Sequence, residues 1–190
     1  MHDWVIDEIG PWSEIKLEII RKYAAAYSKI LAKANLSFLY VDAFAGGGMH
    51  LSKKTGLPID GSPVVALRTR PSFHEFHFIE LNPQKAEQLK ELSTGRERVF
   101  IYKGDCNTLL PRYIFPRVGY SDFKRALVIL DPYGLHLDWN LVAEAGKLGT
   151  VDLFLNFPVM DMNRNALWRR SEKVPPAQAE RMTVFWGDDS

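Results

Sequence analysis

Four acidic residues that end predicted strands, or follow them closely, are the first candidates for chemistry in this sequence. They are Asp42, Glu80, Asp105 and Asp131. The carboxyl ends of parallel strands meet at one edge of an open α/β sheet, and such sheets bind their ligands there. An ionised carboxylate accepts hydrogen bonds from hydroxyl and amine groups. The four residues therefore predict one crevice suited to a nucleotide, whose ribose hydroxyls would meet the acid that ends the second strand.

Three glycines follow the first of these acids. The apolar run from Phe38 to Ala45 leads directly into Gly46, Gly47 and Gly48. Glycine accepts positive φ and has no Cβ, so the backbone can turn sharply here and approach a ligand closely. An ordinary tight turn after a strand is the alternative interpretation. The acidic residue within the strand end favours a ligand-binding loop.

A nicotinamide dinucleotide is one candidate ligand for this pattern of glycines and acids. In dinucleotide folds the ribose-binding acid follows the glycines by about 20 residues. Glu80 meets that spacing only when the segment 49–61, expected to form a flap or hairpin, is discounted. The dinucleotide pattern also opens straight into a helix, whereas Gly48 is followed by this flap. An NAD-dependent oxidoreductase is therefore the less favoured alternative.

The elements that must position these residues alternate between strands and helices. Strands are predicted at residues 38–45, 74–80, 99–102, 126–130 and 151–157. Helices are predicted at residues 14–34, 63–68, 82–92 and 139–147, and in the tail at 163–170 and 177–185, with a short helix or loop at 107–115. This alternation predicts an α/β, Rossmann-like fold in which a mainly parallel sheet is flanked by helices. We expect one domain over residues 1–190, with an N-terminal helical segment (1–36), a core (38–158) and a helical tail (159–190).

The first helix is amphipathic. Leu17, Ile20 and Ala24 recur at helical spacing, as expected for a face that packs on the sheet. The charged residues of this helix, Lys16 and Lys22 among them, are expected on the wetter side as a solvated face.

Composition places the chain among globular proteins of one domain. The 190 residues carry 24 Lys and Arg against 23 Asp and Glu, so any site for a polyanion must be a local patch. The single cysteine, Cys106, excludes an internal disulfide framework, and no metal site is predicted. The start, Met1 to Trp4, is unlike a signal peptide, and no apolar run reaches membrane-spanning length, so we expect a cytoplasmic protein.

The segment Asp42-x-Phe44-Ala45-Gly46-x-Gly48 resembles the first motif of class I methyltransferases, which use S-adenosylmethionine. The resemblance implies a set of cofactor-binding residues: Asp42, Phe44, Gly46, Gly48, Glu80 at the ribose, and Asp105 with Cys106 near the adenine. The Cys106 side chain itself is expected to be a small packing residue and not a nucleophile.

A second segment, Asp131-Pro132-Tyr133-Gly134, resembles the Asp/Asn-Pro-Pro-Tyr/Phe motif of enzymes that methylate amino groups of nucleic acids. It is closer to the Asp-Pro-Phe-Gly form of some tRNA guanine N2-methyltransferases. The resemblance implies that Asp131 and the Pro132 carbonyl hold an exocyclic amine while Tyr133 stacks on a base. Methyl transfer is an in-line displacement, so catalysis by these residues would be largely positioning.

Two residues after the fourth strand are candidates for the substrate side. Asn156 ends the fifth strand, next to Asp131, and is expected to face the acceptor. Arg164 belongs to a group of arginines that follows the fifth strand and could meet phosphates at the same crevice. A solvated face is an equally good interpretation of those arginines.

Over nearly its whole length the chain is similar to the three-Cys-motif partner proteins, bacterial methyltransferase-like proteins encoded beside a cysteine-motif protein of presumed iron–sulfur type. The segments that carry this resemblance are residues 9–17, 40–48, 130–139 and 156–165. It implies a class I methyltransferase fold and a protein partner. The family continues past the equivalent of 186–189, so the last two strands of a seven-stranded sheet are expected to be missing. The fifth strand would then be an uncovered edge.

Two functions follow from these resemblances. The first is an S-adenosylmethionine-dependent methyltransferase that acts on an exocyclic amine of a nucleic-acid base. The second is a catalytically idle, methyltransferase-like binding subunit of the cysteine-motif partner. The intact segment from Asp131 to Gly134 favours the first, and the near-neutral net charge of +1 favours the second.

Overall fold

The computed structural model describes residues 4–188 of the chain. The first three positions of the Met1–Trp4 segment and the last two of the predicted tail lie outside the described residues. The strands are β1 (Asp7–Ile9), β2 (Ser37–Asp42), β3 (Met49–Ser52), β4 (Pro58–Asp60), β5 (Glu75–Glu80), β6 (Val99–Lys103), β7 (Lys124–Leu130) and β8 (Val151–Leu155). The α-helices are α1 (Pro11–Lys33), α2 (Ser62–Arg68), α3 (Pro83–Leu92), α4 (Cys106–Leu109), α5 (Trp139–Leu148), α6 (Val159–Asn165) and α7 (Pro176–Trp186).

The main sheet has five strands in the order β6-β5-β2-β7-β8, and every described pairing in it is parallel. From β2 the chain builds the sheet outward through β5 and β6, and then returns to add β7 and β8 on the other side. The strand order therefore reverses between β2 and β7, and a crevice opens at such a point beyond the carboxyl ends of the strands. The predicted Rossmann-like α/β fold is confirmed.

Helices cover both faces of this sheet, which explains the apolar composition of its central strands. Side chains from Phe38 to Val41 in β2 are at most 1% exposed. Leu39 and Val41 pack in a core that includes Leu141 of α5, whereas Phe38 and Tyr40 pack in a second core with Ile20 of α1. A parallel strand buried on both faces reads as a continuous apolar run, and this is the pattern from which β2 was predicted.

A second, smaller sheet lies beside the glycines and has the order β1-β3-β4. Strands β3 and β4 form an antiparallel hairpin, which is the predicted flap over 49–61. Strand β1 pairs in parallel with β3 and is not among the predicted strands. The hairpin is joined to the glycine loop because the Gly61 N–H donates to the Gly48 carbonyl over 2.8 Å.

The tail differs from its prediction in one helix. The helix predicted at 163–170 lies instead at Val159–Asn165, so the prediction is wrong for residues 166–170. The Pro158 carbonyl accepts the first bonds of this helix, from the N–H groups of Asp161 and Met162, and so places the helix four residues earlier. The last helix, α7, confirms the prediction at 177–185.

Among the described strands β8 pairs with β7 alone and forms one edge of the main sheet. Over residues 4–188, no helix combines the length and apolarity that a membrane crossing requires.

Candidate functional site

A cleft of about 1030 Å³ opens at the carboxyl edge of the sheet, between the start of α1, the glycine loop and the segments after β7 and β8. Six of the residues predicted to act in a site line it: Phe44, Gly46, Asp131, Pro132, Tyr133 and Asn156. The fold therefore brings the predicted catalytic segment and the start of the glycine loop to one place.

The Asp131 carboxylate is held by two side chains. Lys16 Nζ donates to Asp131 Oδ1 and Oδ2, both over 2.7 Å. Asn156 Nδ2 donates to Asp131 Oδ1, also over 2.7 Å. The predicted proximity of Asn156 to Asp131 is confirmed, and its role toward a substrate stays a prediction.

Lys16 is the residue of this site whose predicted position is wrong. It was expected on the solvated side of α1, but it lines the cleft and its side chain is only 30% exposed. The signal was present in the sequence, because Lys16 stands four positions before Ile20 and eight before Ala24, which are 2% and 0% exposed. Residues at this spacing share one face of a helix, so Lys16 points toward the sheet edge where that face ends.

The loop after β7 carries an exposed tyrosine ring and a glycine that is required by the close packing of the loop. Tyr133 is 83% exposed, so its ring is available to stack on a planar ligand. A Cβ added at Gly134 would lie 2.8 Å from Asp161 Oδ2. That oxygen accepts bonds from the Leu135 N–H and from Arg181, each over 3.1 Å. Gly134 therefore permits the close approach by which Asp161 fixes the loop to α6.

Asp161 remains ionised in this position. Its partial burial would raise its pKa, but the Leu135 N–H, the Asn165 amide and the nearby Arg181 charge together hold the pKa below its ordinary value. A carboxylate is a stronger acceptor than a neutral acid, so the ionised form secures the loop.

Glycines of the loop after β2 adopt conformations that other residues rarely adopt. Gly46 and Gly48 have φ values of +65° and +86°. A Cβ at Gly48 would lie 2.5 Å from Leu92 Cδ1 of α3. Gly48 is therefore needed for the packing of the loop on α3, while Gly46 faces the cleft.

Glu80 connects the glycine loop to the start of α3. Its Oε2 accepts the Gly46 N–H over 2.7 Å, and its Oε1 accepts the Asn82 N–H over 2.7 Å. Each carboxylate oxygen keeps a second lone pair, so the predicted contact with a ribose hydroxyl is compatible with this geometry. Glu80 does not line the cleft itself, and Leu81, which follows it, is 70% exposed.

Asp42 lies beneath the loop and is 1% exposed. Its Oδ1 accepts the Phe44 N–H over 3.2 Å, and its Oδ2 has no hydrogen-bond partner among the described residues. Burial raises the pKa of Asp42 to about 7, against the smaller opposing effects of the neighbouring Ser62 hydroxyl and the Phe44 N–H. A buried carboxyl oxygen without a hydrogen-bond partner is costly for a fold, and this one lies below the glycine loop.

Asp105 and Cys106 lie away from the cleft. Asp105 Oδ1 caps α4 by accepting the Asn107 N–H over 2.9 Å. Cys106 is 3% exposed and packs in the core, and burial raises the pKa of its thiol to about 12. The prediction that Cys106 is a small packing residue is confirmed. Contact of either residue with an adenine stays a prediction.

Arg164 does not line the described cleft, so its position favours the solvated face over the crevice edge, the two interpretations that the sequence leaves open. Because α6 begins at Val159, Met162 faces the core at 6% exposure. Arg164 follows two positions later, about 200° around the helix, and lies exposed on the other side. Its carbonyl accepts the Trp168 Nε1–H over 2.7 Å.

The N-terminal segment (residues 4–9) crosses the glycine loop, a contact that was not among the predictions. The Val5 N–H donates to Gln88 Oε1 over 2.7 Å, and Gln88 Nε2 donates to the Val5 carbonyl over 3.3 Å. A Cβ at Gly47 would lie 3.3 Å from that carbonyl. Lys85 Nζ and Asp7 Oδ2 form an ion pair at 2.5 Å. The segment thus covers Gly47 and is fastened to α3.

Across residues 4–188 we find no group of three or more His, Cys, Asp or Glu side chains arranged to hold a metal ion. His50 of β3 lines the cleft, and burial lowers its pKa despite the raising effect of nearby Asp7. A neutral ring therefore faces the cleft at neutral pH.

Comparison with known proteins supports the fold. No family model matches the chain, and no curated protein matches it. Among solved structures, that of protein LPL1258 from Legionella pneumophila str. Philadelphia 1, described with the family model DUF519, is similar to it with a TM-score of 0.52 and 16% sequence identity. The match covers 72% of this chain and 66% of that chain, so this chain spans slightly less than two thirds of that protein. At this level of identity the likeness shows a Rossmann-like α/β fold alone.

Proposed function

We propose that this protein is a cytoplasmic S-adenosylmethionine-dependent methyltransferase of the three-Cys-motif partner kind, which acts on an exocyclic amine of a nucleic-acid base. The observation that carries the proposal is the position of the Asp131 carboxylate. It lies in one cleft with Gly46 of the glycine loop, at the point where the strand order of the sheet reverses. A carboxylate there can hold an amine close to a ligand bound on the glycine loop.

The residues at the sheet edge fit the cofactor in their chemistry. Gly46 presents backbone without a side chain at the cleft, and Glu80 keeps free lone pairs beside it. The exposed Leu81, next to Glu80, offers an apolar surface to an adenine ring. The unpartnered Asp42 oxygen lies below the same loop. When bound, S-adenosylmethionine supplies a methyl group on a sulfonium centre, open to in-line attack by a nucleophile.

Three residues of the cleft would position the acceptor. Asp131 accepts an N–H of the amine, and the Pro132 carbonyl accepts the other, which leaves the nitrogen lone pair free to point at the glycine loop. Tyr133, exposed at 83%, stacks on the base. Asn156 holds the Asp131 carboxylate in place over 2.7 Å. Asp131 also provides a base for the proton that the nitrogen loses on methylation.

A base within a duplex would have to leave its stack to reach this cleft. The near-neutral net charge of +1 offers no broad electrostatic surface for a long duplex. We therefore place single-stranded or flipped-out bases first among acceptors.

The test begins with a calorimetric titration of the protein with S-adenosylhomocysteine. The parent should bind saturably, and Glu80→Gln should bind at least about tenfold more weakly because a charged acceptor is lost. Glu87→Gln is the matched control, since Glu87 is exposed on α3 and pairs only at the surface with Lys90. A folded parent that does not bind the ligand would overturn the proposal.

Methyl transfer is measured separately, with radiolabelled S-adenosylmethionine and pools of RNA and single-stranded DNA. Asp131→Asn should retain ligand binding and lose transfer by about 100-fold or more, as expected for loss of a positioned acid–base group. Undiminished transfer by this variant would refute the role given to Asp131.

A second function, the catalytically idle subunit of a cysteine-motif protein, is favoured by one surface feature. Five large apolar side chains lie exposed along one stripe of α1: Trp12, Ile15, Ile19, Tyr23 and Ile30. Their exposed fractions run from 42% to 80%, and exposed apolar patches of this kind mark interaction sites.

The two functions separate in a pull-down with the cysteine-motif protein encoded nearby. Binding that is lost in the Ile15→Glu, Ile19→Glu variant, from a complex that transfers no methyl group, would favour the idle subunit. Transfer by the complex that depends on Asp131 would favour the enzyme.

A further inference from the structure

We propose that Lys16 binds the carboxylate of the amino-acid end of the cofactor and thereby releases Asp131 to receive the acceptor amine. This inference rests on the proposed function.

The first argument is position along the sheet edge. Glu80 ends β5 and Asp131 follows β7, and these strands lie on opposite sides of β2. Gly46 follows β2 and donates to Glu80 over 2.7 Å. A ligand whose ribose lies at Glu80 and which crosses Gly46 extends its other end toward β7 and the start of α1. Lys16 lies there, and it lines the same cleft as Gly46.

The second argument is charge. The amino-acid end of S-adenosylmethionine carries a carboxylate, which needs a cation or strong donors when it leaves water. Among the described residues that line the cleft, the lysines are Lys16 and Lys53, and there is no arginine. Lys53 is an exposed residue next to the β3–β4 turn. His50 is neutral because burial lowers its pKa. Lys16 is therefore the cation placed at the inner wall, beside the glycine loop.

The third argument is exchange of partners. Lys16 already holds a carboxylate, with both Asp131 oxygens at 2.7 Å. A ligand carboxylate would replace one ionic partner by another, and the flexible lysine stem allows the ammonium to move. Asp131 would keep its bond from Asn156 and regain lone pairs for an amine. Cofactor binding would thus complete the acceptor site, and the two ligands would bind in that order.

The experiment compares two ligands that differ in the group at issue. S-adenosylhomocysteine carries the amino-acid end, and 5′-methylthioadenosine has the same adenosine and thioether without it. Lys16→Met should weaken the first about 10- to 100-fold, the range for a lost charge-assisted hydrogen bond, and leave the second within about twofold. Lys16→Arg should restore most of the affinity because it keeps the cation.

Two further variants complete the design. Lys22→Met, whose side chain on the same helix is 74% exposed, should change the affinity for neither ligand. Asp131→Asn, which removes the competing carboxylate, should tighten S-adenosylhomocysteine several-fold and leave methylthioadenosine unchanged. The Asp131→Asn measurement tests the inference even if Lys16→Met fails to fold.

Equal losses for both ligands in Lys16→Met would mean that Lys16 acts through the fold, and the inference would be wrong. Unchanged binding of S-adenosylhomocysteine by that variant, or weaker binding by Asp131→Asn, would also overturn it. A folded parent that binds neither ligand refutes the proposed function itself, and that outcome is distinct because it precedes any variant.

Discussion

Lys16 and Asp131 stand 115 positions apart in the chain, yet Lys16 Nζ lies 2.7 Å from each oxygen of the Asp131 carboxylate. The pair joins the second turn of α1 to the loop after β7. Its members are 30% and 27% exposed, so solvent screens their attraction. The pair therefore contributes little to stability, and its main effect is to occupy the Lys16 ammonium and the Asp131 carboxylate until a ligand binds in the cleft.

The first prediction concerns the stability of this pair. Lys16→Met and Asp131→Asn should each change the free energy of unfolding by about 1 kcal/mol or less, and their coupling in a double-mutant cycle should be about 0.2–1 kcal/mol. Urea unfolding of the parent, both single variants and the double variant measures this. A coupling above about 2 kcal/mol would show that the pair is structural, contrary to the role given to it here.

The second prediction follows from the buried Asp42. Its pKa is about 7 in the fold, above an ordinary value of 3.8, so between these pH values the folded state holds a proton that the unfolded chain has lost. Stability from this group therefore falls as pH rises through that window and is level above it. The rise of the Asp42 pKa from 3.8 to about 7 corresponds to a change of at most about 4 kcal/mol in the free energy of unfolding.

Asp42→Asn removes this dependence. The free energy of unfolding of the variant should rise relative to that of the parent as pH rises from 4.5 to about 7. The difference between the two proteins should then stay constant to about pH 8.5. Urea unfolding across this range gives the difference, with Asp152→Asn as the control for loss of an exposed carboxyl on β8. A difference for Asp42→Asn that does not vary with pH would contradict the buried, protonated state.

The main sheet could be predicted because its strands are rich in apolar residues, as a continuous run in β2 and β7 and in alternation with polar residues in β5. The position of Asp131 at the carboxyl edge followed from the same runs, since strand order places strand ends together. Strand β1 could not be predicted this way, because three residues are too few for a periodic pattern and their partner, β3, lies 43 positions further on. A pairing between two such short and distant segments becomes visible in the folded chain and not in its sequence.

The positions of Arg164 and Lys16 could not be read from their charges. The orientation of a helical side chain depends on where its helix begins and on which face is buried. For Arg164 the sequence left two sides open, and the start of α6 at Val159, four residues earlier than predicted, decides between them. Lys16 was assigned by its charge to the solvated side, although its spacing from Ile20 gave the opposite answer. The bonds of Glu80 to Gly46 and Asn82 carry no sequence signal beyond the acid itself.

The third prediction distinguishes two glycines with positive φ. Gly48 and Gly56 have φ values of +86° and +69°, but a Cβ meets Leu92 at 2.5 Å in the first case and open space in the second. Gly56→Ala should cost about 1 kcal/mol from backbone strain alone. Gly48→Ala adds overpacking against α3 and should cost about 1–3 kcal/mol more. Thermal or urea unfolding measures both, and equal costs would show that the loop moves away from α3 freely.

The last prediction concerns the N-terminal segment. Gln88 is 5% exposed and makes both bonds to the Val5 backbone, so Gln88→Ala leaves the half-buried Val5 N–H and carbonyl without these partners. An unsatisfied buried group costs about 1–3 kcal/mol, and relief of that cost favours opening of the segment. Hydrogen exchange at the Val5 amide should accelerate about 5- to 150-fold while the amides of β2 keep their protection. Gln84→Ala, at an exposed position of the same helix, should leave the exchange unchanged. Equal protection of Val5 in both variants would mean that the Asp7–Lys85 pair and the β1–β3 pairing hold the segment over Gly47 without Gln88.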